Sequence, residues 1–398
     1  MSRRSKRLLI TCPSIYTSNK IINGGVYIEN GIIQAVLDKK GLNNIKQENV
    51  EIINFSRNYK VIPGMIDLHL HGLMGVDTMD CNIDVFNKMC ENLATEGVTA
   101  FLATTITSDF ITTEKTLSIA KGFFKKNDFI GAALLGINLE GPFISKEKAG
   151  AHNKEYILNP DIDLFEKWQH LSGDNIKIVT LAPELPGAFH FIKKFREKVI
   201  LSLGHTNCSY EVACKAFNEG IKLVTHLFNA MSGIDHRLPG AALAVLQHNK
   251  KVTAEIIVDK FHLNEAIINF IYKMLGRDRI ALISDAMRAK GLGPGEYEFG
   301  GKKIFVDKNT ARLEDGTLAG SLLKLNNAVK NMLDITKLTL SDIIPMVSEN
   351  PAKLLNVYDK KGSIDVGKDA DIVVIDENIN VIMTICMGEI VYNKDAKQ

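Results

Sequence analysis

Residues 63–72 read PGMIDLHLHG. A Pro-Gly step opens an apolar run suited to a buried strand, and the run finishes on His69 and His71. Side chains alternate faces along a strand, so the two histidines share one face with Asp67. Three polar groups set among Met65, Ile66, Leu68 and Leu70 cost burial energy unless something binds them. A metal ion is one occupant that would do so; a pair of surface histidines is the plainer alternative. The rest of the chain decides between them.

Outward from this strand, apolar segments alternate with amphipathic ones. Candidate strands end near His71, Thr104, Glu140, Pro183, His205, His226, Asp259 and Asp285. Helix-like stretches lie between them, among them Ile83–Glu96, Asp161–Leu171, Ser209–Glu219 and Asn264–Leu275. Such alternation implies parallel strands joined by crossover helices. Eight of them predict a closed (β/α)8 barrel, with an open doubly wound sheet as the competing arrangement.

The flanks differ in character. Before residue 61 the chain is β-rich, and Asn30-Gly31 between Val26–Glu29 and Ile32–Leu37 suits a tight hairpin turn. After Asp285 comes GLGPGEYEFGGKKIFV, which no strand leads into and no helix directly follows, so it reads as a β-hairpin and not a phosphate loop. Helices are expected from about Leu322 to Val357. Strands return at Ala370–Ile375, Val381–Ile385 and Ile390–Tyr392. The expected organisation is a barrel over residues 61–357 and a small discontinuous β-sandwich domain from residues 1–60 and 358–398.

Composition narrows the function. The 398 residues exceed one ordinary hydrophobic core. Lys+Arg 48 against Asp+Glu 46 leaves a net charge of +2, which argues against a nucleic-acid surface. No apolar run approaches the ~18 residues of a membrane span. The basic start SRRSKR precedes too few apolar residues for a secretory signal and reads as a solvated tail. Six cysteines without CxxC spacing are no disulfide framework and fit a reducing cytoplasm. The sequon at Asn207 has no signal peptide to give it meaning.

In a (β/α)8 barrel the functional side chains stand at the C-terminal strand ends. Here those ends carry His69 and His71, then Glu140, His205, His226 and Asp285. Imidazole and carboxylate are the ligands of hydrolytic zinc, iron or manganese sites. Taken singly, each has a structural explanation: His205 a loop residue, His226 a satisfied core one, Glu140 and Asp285 caps. Their joint placement on strand ends is what argues for a site.

PGMIDLHLHG, LEGPFIS, LGHTN, THLFNAM, LISDAM and the closing GSIDVGKDADIVVID resemble the amidohydrolase superfamily. LEGPF with THLFNAM and DHRLPG is more closely similar to its N-acetylglucosamine-6-phosphate deacetylase family, from about Gly24 to Tyr392. The resemblance implies Glu140, His205 and His226 as ligands of the main divalent ion. Retention of His69 and His71 permits a second ion, with Glu140 bridging and Asp285 contributing. Many relatives bridge their ions with a carbamylated lysine on the fourth strand, but here that strand ends TLAPE.

The same resemblance implies a metal-activated water with Asp285 as general acid/base, and His152 polarising the acetamide carbonyl. Asn229, Ala230, Arg237 and His262 would meet the sugar phosphate, with Ala151 and Leu318, Ala319 and Gly320 lining the pocket. Read unaided, Arg237 beside His236 is an Arg fork able to pair a phosphate, or simply a solvated loop. In relatives such an arginine reaches the neighbouring subunit's site, implying a homodimer. The rival readings are a cyclic amidase, a deaminase or an N-acyl-amino-acid hydrolase on the same barrel, and a non-catalytic scaffold.

Overall fold

The computed structural model describes residues 7–43, 49–126, 130–248 and 252–395; apart from Arg7, the basic N-terminal run lies outside the described residues. Eight parallel strands form the central sheet in sequence order: β1 (Met65–Leu70), β2 (Val98–Thr105), β3 (Ala133–Glu140), β4 (Ile176–Leu181), β5 (Ile200–Leu203), β6 (Leu223–Val224), β7 (Thr253–Ile257) and β8 (Ile280–Ile283). The barrel closes where Leu70 pairs with Ala286, supported by bonds from Asp285 N–H to the His69 carbonyl (2.9 Å) and from His71 N–H to the Ala286 carbonyl (2.9 Å). Closure therefore falls on the stretch that carries the paired histidines.

Helices follow the strands as α1 (Ile83–Ala94), α2 (Phe110–Lys126), α3 (Ile162–Ser172), α4 (Ala188–Phe195), α5 (Tyr210–Glu219), α6 (Ala241–Gln247), α7 (Glu265–Leu275) and α8 (Leu325–Thr336). Their starts are written locally. Asn82, Asp161, Ser209 and Asn264 each accept a first-turn backbone N–H at the start of α1, α3, α5 and α7. Outward strand side chains such as Val179, Leu201 and Ile256 join helix residues such as Phe191 and Ile268 in one apolar core. Inside the barrel, Thr180 and Ser202 both bond Thr225, at 2.9 and 2.6 Å.

Segments from both ends of the chain build a second eight-stranded sheet with its own apolar core, which includes Leu8, Ile10, Ile28, Ile372 and Ile385. Its Asn30-Gly31 turn has both residues at positive φ, 53° and 82°, as a two-residue hairpin requires. Strand Lys60–Pro63 pairs antiparallel with Ile372–Ile375 and leads through Gly64 directly into β1. Gly64 fits because a Cβ there would collide with the Thr99 hydroxyl. The Gly-rich insert after Asp285 forms the expected hairpin, Gly295–Phe299 with Lys302–Val306, and gains a third strand at Ala311–Arg312.

Candidate metal centre

Each of the six strand-end residues reaches the barrel mouth. His205, His226 and Asp285 have φ of 46°, 27° and 47°. A left-handed residue ends the strand ladder and turns its side chain over the axis, a costly conformation typical of functional positions. All six residues are buried, Asp285 being the most exposed at 7%.

The imidazoles converge on Glu140. Its Oε1 lies 3.0 Å from His226 Nε2, 3.1 Å from His205 Nε2 and 3.5 Å from His69 Nε2. Its Oε2 lies 3.2 Å from His71 Nε2 and 3.3 Å from His152 Nε2. Asp285 Oδ1 stands 3.4 Å from both His69 Nε2 and His71 Nε2. Two triads result, Glu140/His205/His226 and His69/His71/Asp285, each with ligand atoms within 4.8 Å of one another.

The electrostatics are those of a cation site. Burial works against a charged Glu140, yet the imidazoles, His69 foremost, hold its carboxyl well below the usual range. Burial likewise opposes a charged Asp285, and His69 and His71 overcome this to bring it to about 2. Burial would lower His71, but hydrogen bonds to Asp285 and Glu140 push it up to about 9. Both carboxylates demand positive charge, and a divalent ion supplies it without protonating the ring nitrogens that would bind it.

The residues present fit such an ion. His205 Nδ1 donates to the Lys148 carbonyl at 2.7 Å, so its Nε2 lone pair faces Glu140. His69 Nδ1 is held by Glu255 at 3.1 Å, and its Nε2 is buried without a hydrogen-bond partner. Imidazoles anchored at one nitrogen and free at the other are those that metal sites use. The N/O donor set suits zinc, iron or manganese.

His152 differs from the ligands. Burial and then the neighbouring His205 push it down to about 4, so it is neutral. Its Nδ1 accepts the Thr107 backbone N–H at 3.2 Å, leaving the proton on Nε2, which points into the site.

A cavity of about 670 Å3 opens above these groups, lined by His71, Glu140, His152, His205, His226 and Asp285, together with Ala151, Asn229, Ala230, His262, Leu318 and Gly320. His69 sits beneath its floor, and Ala319 is buried in the apolar cluster under the hairpin. Arg237 is not brought to this cavity: it is exposed on the loop after β6, its backbone N–H bonded to Asp235 at 2.7 Å. Several contributors escaped the sequence reading. Asp259 holds His262 Nδ1 at 2.7 Å. Lys302, from the hairpin, donates to the His152 carbonyl at 2.9 Å, and with Arg312 lines the mouth. Glu255 had a legible signal, a lone acid inside the apolar run of β7; Thr107 had none.

A parallel eight-stranded barrel with two buried His/carboxylate triads at its mouth is the architecture of a metal-dependent hydrolase. Residues 60–391 match the amidohydrolase family, and the chain belongs to that family. It is 42% identical to the N-acetylglucosamine-6-phosphate deacetylase of Bacillus subtilis, over 99% of this chain and 100% of that protein. The crystal structure of N-acetylglucosamine-6-phosphate deacetylase from Pasteurella multocida superposes with a TM-score of 0.89 at 31% identity, covering 96% of this chain and 99% of that one. A mutant of the Mycobacterium smegmatis N-acetyl-D-glucosamine-6-phosphate deacetylase, solved in complex with N-acetyl-D-glucosamine-6-phosphate, gives 0.90 at 28% identity, covering 98% and 100%.

Proposed function

We propose that this chain hydrolyses the acetamide of N-acetyl-D-glucosamine 6-phosphate, releasing acetate and D-glucosamine 6-phosphate, within amino-sugar catabolism or cell-wall recycling. The observation that carries the reading is that the Asp285 carboxylate and the neutral His152 N–H meet at one point: His71 Nε2, 3.4 Å from Asp285 Oδ1, and His152 Nε2 both lie within 3.3 Å of Glu140 Oε2. A hydrolase of this kind needs a proton acceptor and a carbonyl-polarising donor at one point, and these two supply them.

Glu140, His205 and His226 would hold one divalent ion, zinc, iron or manganese, and His69 and His71 with Asp285 a second. When bound, such an ion supplies a water of lowered pKa, about 7 in the best-studied cases, and a Lewis-acid contact. Asp285 orients the attacking water and takes its proton. The same carboxyl then returns the proton to the departing amine. His152 Nε2–H donates to the carbonyl oxygen as negative charge develops there. Asn229, Ala230 and His262 position the sugar phosphate, with Ala151, Leu318 and Gly320 as walls and Ala319 packed behind them. Arg237 reaches the neighbouring site of a homodimer, which accounts for its place outside its own cavity.

The barrel, whose first strand begins at Met65, acts as the catalytic unit, and the sheet built by the described segments of both ends of the chain, Lys60–Pro63 included, as its brace. Six free cysteines and a phosphorylated substrate support a cytoplasmic setting, and no helix among the described residues is long and apolar enough to cross a membrane. Cyclic amidases that bridge two ions with a fourth-strand lysine fit less well, since β4 runs into Ala182, Pro183 and Glu184. The test compares turnover of N-acetylglucosamine 6-phosphate, its 4-epimer N-acetylgalactosamine 6-phosphate, and unphosphorylated N-acetylglucosamine. The first should be turned over best and the last barely at all; preference for the unphosphorylated sugar would contradict the assignment.

A further inference from the structure

Glu255 lies in the middle of β7 and is fully buried, with its side chain turned into the barrel beneath the two triads. One oxygen, Oε2, stands 3.1 Å from His69 Nδ1 and accepts the His226 backbone N–H at 3.4 Å. The other, Oε1, has no hydrogen-bond partner. Among the described residues no lysine or arginine pairs with it; its one ion-pair partner is His69.

A carboxylate in this position is expensive, because burial penalises its charge and a single imidazole is poor compensation. The position does have a chemical consequence. By accepting the Nδ1 proton, Glu255 fixes the tautomer of His69 and aims the Nε2 lone pair at the mouth, where that atom has no hydrogen-bond partner and stands 3.4 Å from Asp285 Oδ1. A carboxylate behind an imidazole also makes the far nitrogen a stronger donor to a cation. His71 has no such support, for its Nδ1 is buried and unpartnered. The His69/His71/Asp285 triad therefore has one anchored histidine, and Glu255 anchors it. Through the His226 N–H the same oxygen also touches the residue that supplies a ligand to the other triad.

From this geometry we infer that Glu255 is the positioning residue that makes the His69/His71/Asp285 triad a working site for a second divalent cation. The inference rests on the metal-hydrolase reading above, including its second ion, and adds to it the residue that positions that ion's ligand. A purely structural Glu255, filling the barrel, would be replaceable by the isosteric glutamine without effect on ion binding. A positioning carboxylate would not, since glutamine has no charge to place behind His69.

The experiment loads wild-type protein, Glu255→Gln and His69→Asn with Mn2+ or Zn2+, removes excess ion by desalting, and counts ions per chain by mass spectrometry. Competition with a chelator of known affinity then resolves the two sites. Wild type should retain two ions. Glu255→Gln should keep the first with unchanged affinity and hold the second about 10- to 100-fold more weakly, the usual cost of losing such a partner. His69→Asn marks complete loss of the second ion. Retention of the first ion shows that the variant is folded, and matched melting curves of the metal-free proteins check this independently. Two ions bound with wild-type affinity in Glu255→Gln would overturn the inference, as would a single tight ion in the wild type. Acetate release by wild type in that last case would leave the hydrolase reading intact. Wild type that binds two ions and releases no acetate would sink that reading alone.

Discussion

His152 Nδ1 accepts the backbone N–H of Thr107 at 3.2 Å, with the Thr107 hydroxyl 2.7 Å away. A backbone N–H is always a donor, so this contact settles which ring nitrogen carries the proton. The neighbouring His205 is held the other way round, its Nδ1 donating to the Lys148 carbonyl, whereas His152 presents an N–H to the mouth. Position alone would have made it one more ligand; its hydrogen bond makes it a donor.

His152→Gln should therefore keep its ion content and lose turnover. Loss of one donor aimed at developing negative charge commonly costs about 100- to 1,000-fold in kcat. Ion analysis beside steady-state kinetics checks both halves. An equal fall in bound metal would place His152 among the ligands instead.

For Asp285→Asn the expectation is a protein that still binds substrate and at least the ion at Glu140/His205/His226. Its turnover should fall at least about 100- to 10,000-fold, the range for a missing general acid/base. Calorimetric binding of N-acetylglucosamine 6-phosphate to the variant, compared with its kcat, separates the two effects. Near-normal kcat would remove Asp285 from the chemistry.

Metal removal should also lower stability. Ions that bind the folded chain and not the unfolded one stabilise it by about 4 kcal/mol at a thousandfold excess over Kd. Thermal melts before and after a strong chelator should show a clear drop in Tm that re-added ion reverses. An unchanged Tm would mean that no ion is held tightly.

Gly64→Ala tests the link between sheet and barrel. The residue bonds the Asp371 carbonyl through its N–H (2.9 Å) and accepts the Ser348 hydroxyl (2.9 Å), so its backbone is pinned from two sides. A methyl group driven against Thr99 has nowhere to go, and overpacking of this kind costs about 1–3 kcal/mol. The variant should melt earlier, while folded protein at low temperature keeps its turnover.

Much of the site is legible because each ligand sits at or just beyond the end of a strand whose apolar run ends visibly. The eightfold alternation, the paired histidines and the Asn30-Gly31 hairpin are local patterns, and the described structure contains each of them. What stayed illegible depends on partners distant in sequence. Glu51–Asn54 joins the second sheet beside Arg7–Tyr16, in parallel, with no turn to announce the pairing. Glu255 reads as an oddity inside an apolar strand until β1 and β7 are known to flank β8 and to meet inside the barrel. Lys302 reaches the His152 carbonyl only because the hairpin folds back over the mouth.

The most direct test of the central claim is acetate release from N-acetylglucosamine 6-phosphate by protein as purified, after chelator treatment, and after return of Zn2+, Fe2+ or Mn2+. Turnover should vanish on chelation and return with at least one of these ions. Turnover that survives complete metal removal, or its absence from fully metal-loaded protein, would contradict the assignment.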